Sequence, residues 1–305
     1  MKPPEGPWAI LMAGQLTERE GMGRGLLQDP FFTEASRDLD GLTGGRFIRW
    51  ITESKQSELA RPEIGSLAVL GFDIAVARAA RARFGPPAAA CGYSLGFYAA
   101  AVEAGAVSAG TALSWVEAVN GEMEREFSGG RHGLAFAIGL SARDLLDAFR
   151  EAGLGSLRIA NVNSRKSIVF GGLRDEVQGA LSRLKDRILQ GGMLPLPHPL
   201  HTSHLDPVRD RMCGWWGGRE TAPPKRLLIS PSDGARIEGA DALRALLPET
   251  LVLPTDWVAV VESIARLEPG WLLDTSADGS LGRMTRWVDR SLNVISLEEA
   301  FERDD

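Results

Sequence analysis

Short apolar runs bounded by proline or glycine alternate along this chain with longer segments whose apolar residues recur at helical spacing. Residues 7–13, PWAILMA, predict a buried strand that ends at Gly14. Residues 65–83 carry apolar side chains at 67, 69, 70, 72, 74, 76 and 80 and predict a largely buried helix, stopped by Pro86 and Pro87. A second strand, AAACGYS, leads through a glycine-flanked turn into a second helix, LGFYAAAVEAG. Residues 111–126 predict a further amphipathic helix that ends before Ser128-Gly129-Gly130. Strand–helix alternation of this kind predicts an α/β unit with a parallel sheet.

The rhythm then changes. Strand 134–140, helix 142–153, strands 157–163 and 166–172, helix 175–191 and strand 192–199 follow the β-α-β-β-α-β order of a ferredoxin-like unit. This block is read as a small subdomain, residues 131–199, inserted into a large α/β subdomain made of residues 1–130 and 200–305. The remainder predicts helices at 205–216, 241–247 and 256–267 and strands at 226–230, 271–276 and 293–297, which should rejoin the first sheet. The acidic tail FERDD is expected to fray.

Composition narrows the class. A length of 305 residues suits two units, or one large unit with an insertion. The net charge of −6 argues against nucleic acid as a partner, since such binding needs a basic footprint. No run reaches the ~18 apolar residues of a membrane span, and the first apolar run is too short for a signal peptide. A soluble, cytoplasmic chain with no membrane partner is expected. The two cysteines, Cys91 and Cys213, make neither a disulfide framework nor a metal site, which fits a reducing compartment. Of four histidines, His198, His201 and His204 fall within seven residues, and the other is His132. That spacing invites a zinc reading. Pro197 and Pro199 break the helix that would stack such ligands, and no carboxylate or cysteine pattern joins them, so no metal is expected.

The chemistry lies elsewhere. Gly92-Tyr93-Ser94-Leu95-Gly96 is a G-x-S-x-G between a predicted strand and a predicted helix. Such a turn holds a nucleophilic serine in a strained conformation, and the glycines permit close backbone approach. The N–H of Leu95 then points at the oxygen of a tetrahedral intermediate. The plain alternative is a structural turn. A nucleophilic serine needs a base, and His201 stands 107 residues downstream. Whether a carboxylate or a backbone carbonyl orients its ring is left open by the spacing. Cys91 reads as a small buried hydrophobe, and the eight tryptophans as core.

Several motifs occur in order: Gly14-Gln15 with Gly21-Met22-Gly23, the elbow with Ala99-Ala100, Asn161-Val162-Asn163, Leu194-Pro195-Leu196-Pro197 leading to His201, and Pro254-Thr255-Asp256-Trp257. Together they resemble the malonyl-CoA:acyl carrier protein transacylase family over about residues 8–297. The chain is also similar to the epsilon subunits of malonate decarboxylase and the acyltransferases of polyketide synthases. The resemblance implies an α/β-hydrolase-like large subdomain with a ferredoxin-like small one. It implies a ping-pong acyltransferase, with acyl-CoA as donor, an acyl-Ser94 intermediate and the phosphopantetheine thiol of an acyl carrier protein as acceptor. Transfer between two carrier proteins fits the same pattern. It further implies an oxyanion hole from the N–H groups of Gln15 and Leu95, and a carbonyl near Thr250 that orients His201. No cofactor is implied beyond the CoA thioester substrate. Asn161 or Asn163 would brace the loop or simply cap the turn between strands.

Three positions depart from the family pattern. The arginine that pairs with a malonyl carboxylate aligns with Asn120, and Arg125 lies on another helix face. A neutral acyl group, acetyl or larger, is therefore expected. Tyr93 replaces the usual histidine before the serine and is expected to line the pocket with one hydroxyl partner. Leu16 replaces a glycine beside the oxyanion hole, which threatens the backbone conformation there. His198 and His204 are expected to line the carrier-arm channel or the surface, with a contact to a polar acyl group open to either. Arg78, Arg81 and Arg83, and Arg165 with Lys166, are candidate contacts for an acidic carrier protein. Two other functions compete: hydrolysis of acyl groups from a carrier protein, and a degenerate, non-catalytic interaction module.

Overall fold

A computed structural model describes residues 6–301, so most of the acidic tail lies outside the described residues. Its strands are β1 (Trp8–Met12), β2 (Ala89–Gly92), β3 (His132–Ile138), β4 (Arg158–Ser164), β5 (Ser167–Leu173), β6 (Gln190–Met193), β7 (Leu227–Leu228), β8 (Thr255–Asp256), β9 (Trp271–Asp274) and β10 (Val294–Ile295). They form two sheets. The first has the order β10-β9-β1-β2-β7 and is parallel throughout. The second has the order β6-β3-β5-β4-β8, its first four strands antiparallel. Those four follow the ferredoxin-like arrangement, with helices Ala142–Glu151 and Arg174–Leu184 as crossovers.

Burial on both faces explains the apolar strands of the first sheet. On β1, Trp8, Ile10 and Met12 face one core and Ala9 and Leu11 the other. The helix Pro62–Phe84 is buried along most of its length, hence its nearly continuous apolar sequence. It starts three residues before the expected point, with Pro62 in its first turn. The chain after residue 205 does rejoin this sheet, through β7, β9 and β10.

Several expected elements are shorter. The helix expected to reach residue 191 stops at Leu184, and β6 is Gln190–Met193 rather than 192–199. Pro195, Pro197 and Pro199 lack the N–H groups that a ladder needs, so the chain beyond Met193 leaves the sheet. The helix expected at 205–216 is α-helical over Asp206–Met212 and tightens to a 3₁₀ turn over Cys213–Trp216. The last strand ends at Ile295, because Ser296 and Glu299 cap a terminal helix: Ser296 Oγ accepts the Glu299 N–H and Glu299 accepts the Ser296 N–H. Among the described residues, five α-helices lie outside the expected elements: Pro30–Leu42, Phe47–Thr52, Gln56–Leu59, Ser280–Val288 and the terminal Leu297–Phe301. Pro30–Leu42 begins with Asp29 as its N-cap, and Ser280–Val288 follows Gly279. The strand β8 is a further addition. It pairs Thr255 and Asp256 with Asn161 and Val162 of β4, joining the second sheet to the returning chain.

Candidate active site

β2 lies inside the first sheet, and the chain turns sharply from it into the helix Gly96–Glu103. Two glycines make that crossing possible. A Cβ at Gly92 would collide with the backbone of Gly96, and one at Gly96 with the carbonyl oxygen of Met12 on β1. Between them Ser94 has φ +53°, in the left-handed region. For a residue with a side chain this costs about 1–3 kcal/mol. Cys91, three residues earlier, is fully buried, and burial pushes its thiol up, so it packs as a small hydrophobe.

Ser94 Oγ lies 2.6 Å from His201 Nε2. His201 is itself left-handed, at φ +60°, and its N–H donates to the Leu251 carbonyl. Its Nδ1 is 2.8 Å from the Thr250 carbonyl oxygen and 3.2 Å from that of Leu253. A carbonyl only accepts, so Nδ1 carries the ring proton and Nε2 is left to take one from the serine. Burial lowers the imidazole to about 4, and the two carbonyls offset only part of that shift. The ring is therefore a neutral acceptor at pH 7. Thr250 is fixed in turn. Its hydroxyl donates to the Leu247 carbonyl at 2.7 Å, so Tyr98, whose hydroxyl is 2.8 Å from Thr250 Oγ1, is the donor in that contact. Tyr98 stands on the elbow helix and ties the nucleophile's support to the base's anchor. Its pairing was not legible from spacing; the one hint was that the chain's two tyrosines both flank the elbow.

Among the described residues, neither the N–H of Gln15 nor that of Leu95 has a protein acceptor. Both border the cleft that holds Ser94, and the N-terminus of the elbow helix adds positive potential there. Gly14 has no room for a side chain, since a Cβ would come within 2.8 Å of the Tyr93 ring. Leu16 adopts φ +74°, so a leucine holds the left-handed conformation that favours glycine. The Leu16 N–H donates to Glu18 Oε2 at 2.8 Å.

The cleft is narrow, with a cavity volume of about 50 Å³. Trp115, Val116, Val119, Met123, Leu200 and Leu251 form apolar walls, and Asn120 and Ser66 add polar ones. Asn120 Nδ2 donates to Ser66 Oγ at 2.8 Å and faces the Pro62 carbonyl at 3.3 Å, which fixes the amide orientation. Its Oδ1 accepts from no protein group among the described residues. Among the described residues, no arginine lines the cleft. Arg125 is exposed and pairs with Glu122 at 2.7 Å.

The other expected binding residues lie elsewhere. Tyr93 packs on the opposite side of the sheet from Tyr98, edge-on to Trp257, and its hydroxyl donates to Asn163 Oδ1 at 2.7 Å. Asn161 is buried in β4, beside Thr255 of β8. His198 packs against Phe127 and borders a separate outer groove that shares Asn120 with the cleft. His204 Nε2 donates to the Ser156 carbonyl at 2.7 Å. Every residue lining the cleft comes from outside 131–199, so Asn161 and His198 are not among them; Tyr93 and His204, outside that range, do not line it either. Among the described residues, no three His, Cys, Asp or Glu side chains gather as a metal site would require. Arg78, Arg81 and Arg83 each face a carboxylate of this chain, those of Asp38, Glu103 and Asp29. Arg165 faces Glu262 at 3.6 Å.

A serine on a strand-to-helix elbow, a neutral imidazole in hydrogen-bond contact and two free N–H groups beside them make a constellation for nucleophilic acyl transfer. Several known proteins are similar to this chain. A non-reducing polyketide synthase of Arthroderma otae is 29% identical over 221 residues, covering 68% of this chain and 12% of that protein. The polyketide biosynthesis malonyl CoA-acyl carrier protein transacylase of Bacillus subtilis is 27% identical over 220 residues, 71% of this chain and 75% of that one. Among solved structures, the malonyl CoA-acyl carrier protein transacylase of Coxiella burnetii superposes with a TM-score of 0.90 at 25% identity, covering 97% of this chain and 95% of that one. No protein-family model matches the chain. The chain thus has the fold of these transacylases and is similar to them along nearly its whole length, as its motifs imply.

Proposed function

We propose that the chain is an acyltransferase that moves an acyl group from acyl-CoA, or from an acyl carrier protein, through an acyl-Ser94 intermediate to the phosphopantetheine thiol of a carrier protein. The observation that carries this reading is the 2.6 Å contact between Ser94 Oγ and a buried, neutral His201 anchored on a carbonyl. Nε2 takes the hydroxyl proton as Oγ attacks the thioester carbon. The oxygen of the tetrahedral intermediate faces the N–H groups of Gln15 and Leu95. Collapse breaks the C–S bond, the imidazolium returns its proton to the sulfur, and CoA leaves as the thiol. In the second half the carrier's thiol gives its proton to His201 and attacks the ester; the C–Oγ bond breaks and the imidazolium returns the proton to Ser94 Oγ. CoA enters as substrate, and the reaction uses no bound cofactor. Free thiols at Cys91 and Cys213 suit a cytoplasmic setting.

The acyl group is uncharged. The cleft offers no cation, and the open atom of Asn120 is an acceptor oxygen, which repels a carboxylate and leaves it unpaired. Intact-mass analysis tests both statements. The protein is exposed to acetyl-, butyryl- and malonyl-CoA, then to pantetheine or a phosphopantetheinylated carrier. Acetyl or butyryl should load Ser94 about tenfold faster than malonyl and should then move to the thiol. Preferential loading by malonyl-CoA would refute the neutral pocket. Loss of the adduct to water in the presence of thiol would make the chain a hydrolase instead, and no adduct with any donor would leave a non-catalytic module.

A further inference from the structure

The helix Pro62–Phe84 carries one carboxyl group in its most shielded stretch, and the chemistry above leaves it unused. Asp73 is fully buried. Its Oδ1 lies 2.5 Å from the hydroxyl of Thr275, just beyond β9. Thr275 Oγ1 also accepts the N–H of Ala13 at 3.0 Å and stands 3.1 Å from the Leu11 carbonyl, to which the Thr275 N–H donates. Leu11 and Ala13 bracket the end of β1, and Gln15 lies two residues on. The charged group that acts on Asp73 is another acid, Asp274. Asp274 is already served by Ser276 N–H, Ser276 Oγ and Gly282 N–H.

We propose that Asp73 is a positioning residue for the oxyanion hole: through Thr275 it fixes the peptide of Ala13, and so the N–H of Gln15. This rests on the acyltransferase reading. Hydrogen counting supports the arrangement. The Thr275 hydroxyl has one hydrogen and two acceptors within reach, Asp73 Oδ1 and the Leu11 carbonyl. If Asp73 keeps its proton, the chain closes. Asp73 O–H donates to Thr275 Oγ1, whose own hydrogen goes to Leu11, while Oγ1 also accepts from Ala13. Burial pushes this carboxyl well above the ordinary range, so the proton stays. Asp73 Oδ2 has no partner and is sealed from solvent. As the carbonyl oxygen of a neutral acid it is tolerable there; as half of a carboxylate it would be far costlier.

Two substitutions test the clamp. Asp73→Asn keeps both shape and donor, since its amide N–H reaches Thr275. Asp73→Leu keeps the branched shape, with more bulk, and removes the donor. Asp73→Asn should load Ser94 within about threefold of wild type. Asp73→Leu should lose roughly tenfold to a hundredfold in kcat with KM within twofold, because the Gln15 N–H acts on the transition state. Infrared difference spectra between wild type and Asp73→Asn should show a protonated carboxyl band at pH 7. A folded Asp73→Leu that loads Ser94 at the wild-type rate would overturn the proposal, as would a carboxylate band in place of the acid. If Asp73→Leu does not fold, the spectrum and the Asp73→Asn rate decide alone. Wild-type protein that takes no acyl group from any donor would instead sink the acyltransferase reading, while the spectrum would still report on the clamp.

Discussion

Leu16, Ser94 and His201 are three of the four non-glycine residues with positive φ among the described residues, and all three sit at one site. Strain of this kind persists where the surroundings over-determine the backbone, and here it aims a nucleophile, its base and the loop bearing Gln15 at a common point. The base has a further consequence. Because burial holds His201 near 4, its protonated form, which cannot accept the serine proton, becomes dominant only below that pH. The acid limb of kcat/KM for Ser94 loading should therefore inflect near pH 4, with the rate flat from about pH 5 upward. An inflection near the ordinary histidine value of ~6.5 would show that the ring is solvated in the working enzyme. At this scale the sequence was informative about Ser94 and His201, since an elbow needs its glycines and a serine needs a base. Through the resemblance it also pointed to Gln15, Leu95, Asn120 and Thr250, which border the cleft, but it did not separate the two tyrosines. Tyr93 and Tyr98 both flank the elbow, yet only Tyr98 reaches the site, because the turn at Ser94 sends the side chains before and after it to different faces.

The elbow works as an element because β1, β2 and the helix Gly96–Glu103 meet without side chains between them. Gly96→Ala would drive a methyl group into the Met12 carbonyl, which cannot move without breaking β1 from its neighbours. Differential scanning calorimetry should show a melting temperature lower by roughly 10 °C, or no folded protein. A melt within 2 °C would contradict the packing described. Tyr98→Phe removes the hydroxyl that holds Thr250 while leaving the ring in place. Thr250 keeps its bond to Leu247, so the fold should survive, and kcat for Ser94 loading should fall about three- to tenfold with KM unchanged. The strand–turn–helix units were legible because their apolar periods switch cleanly between proline and glycine stops. The helix Pro30–Leu42 is harder to see although its signals are present, with Asp29 capping and Pro30 at its first position. No such signal exists for β8, two residues long, which is a strand only because β4 lies beside it.

Across the whole molecule, the chain makes a parallel sheet, leaves it for a ferredoxin-like sheet, and returns. The return carries His201 over the cleft, and β8 and the His204–Ser156 contact tie the second sheet to the returning segment. That order was legible from the change in rhythm near residue 131. Which side builds the acyl pocket was not, and the structure assigns the whole lining to residues outside 131–199. The three-histidine cluster takes its meaning from this return path: one ring meets the serine, one packs on Phe127, and one donates to the Ser156 carbonyl in the turn before β4. Covalent chemistry at one hydroxyl is the centre of the proposed mechanism. Intact-mass spectrometry of the wild type and of Ser94→Ala after exposure to acetyl- or butyryl-CoA tests it most directly. One acyl group is expected on the wild type, mapped to Ser94, and none on Ser94→Ala. An acyl group retained by Ser94→Ala, or none on the wild type, would contradict the mechanism.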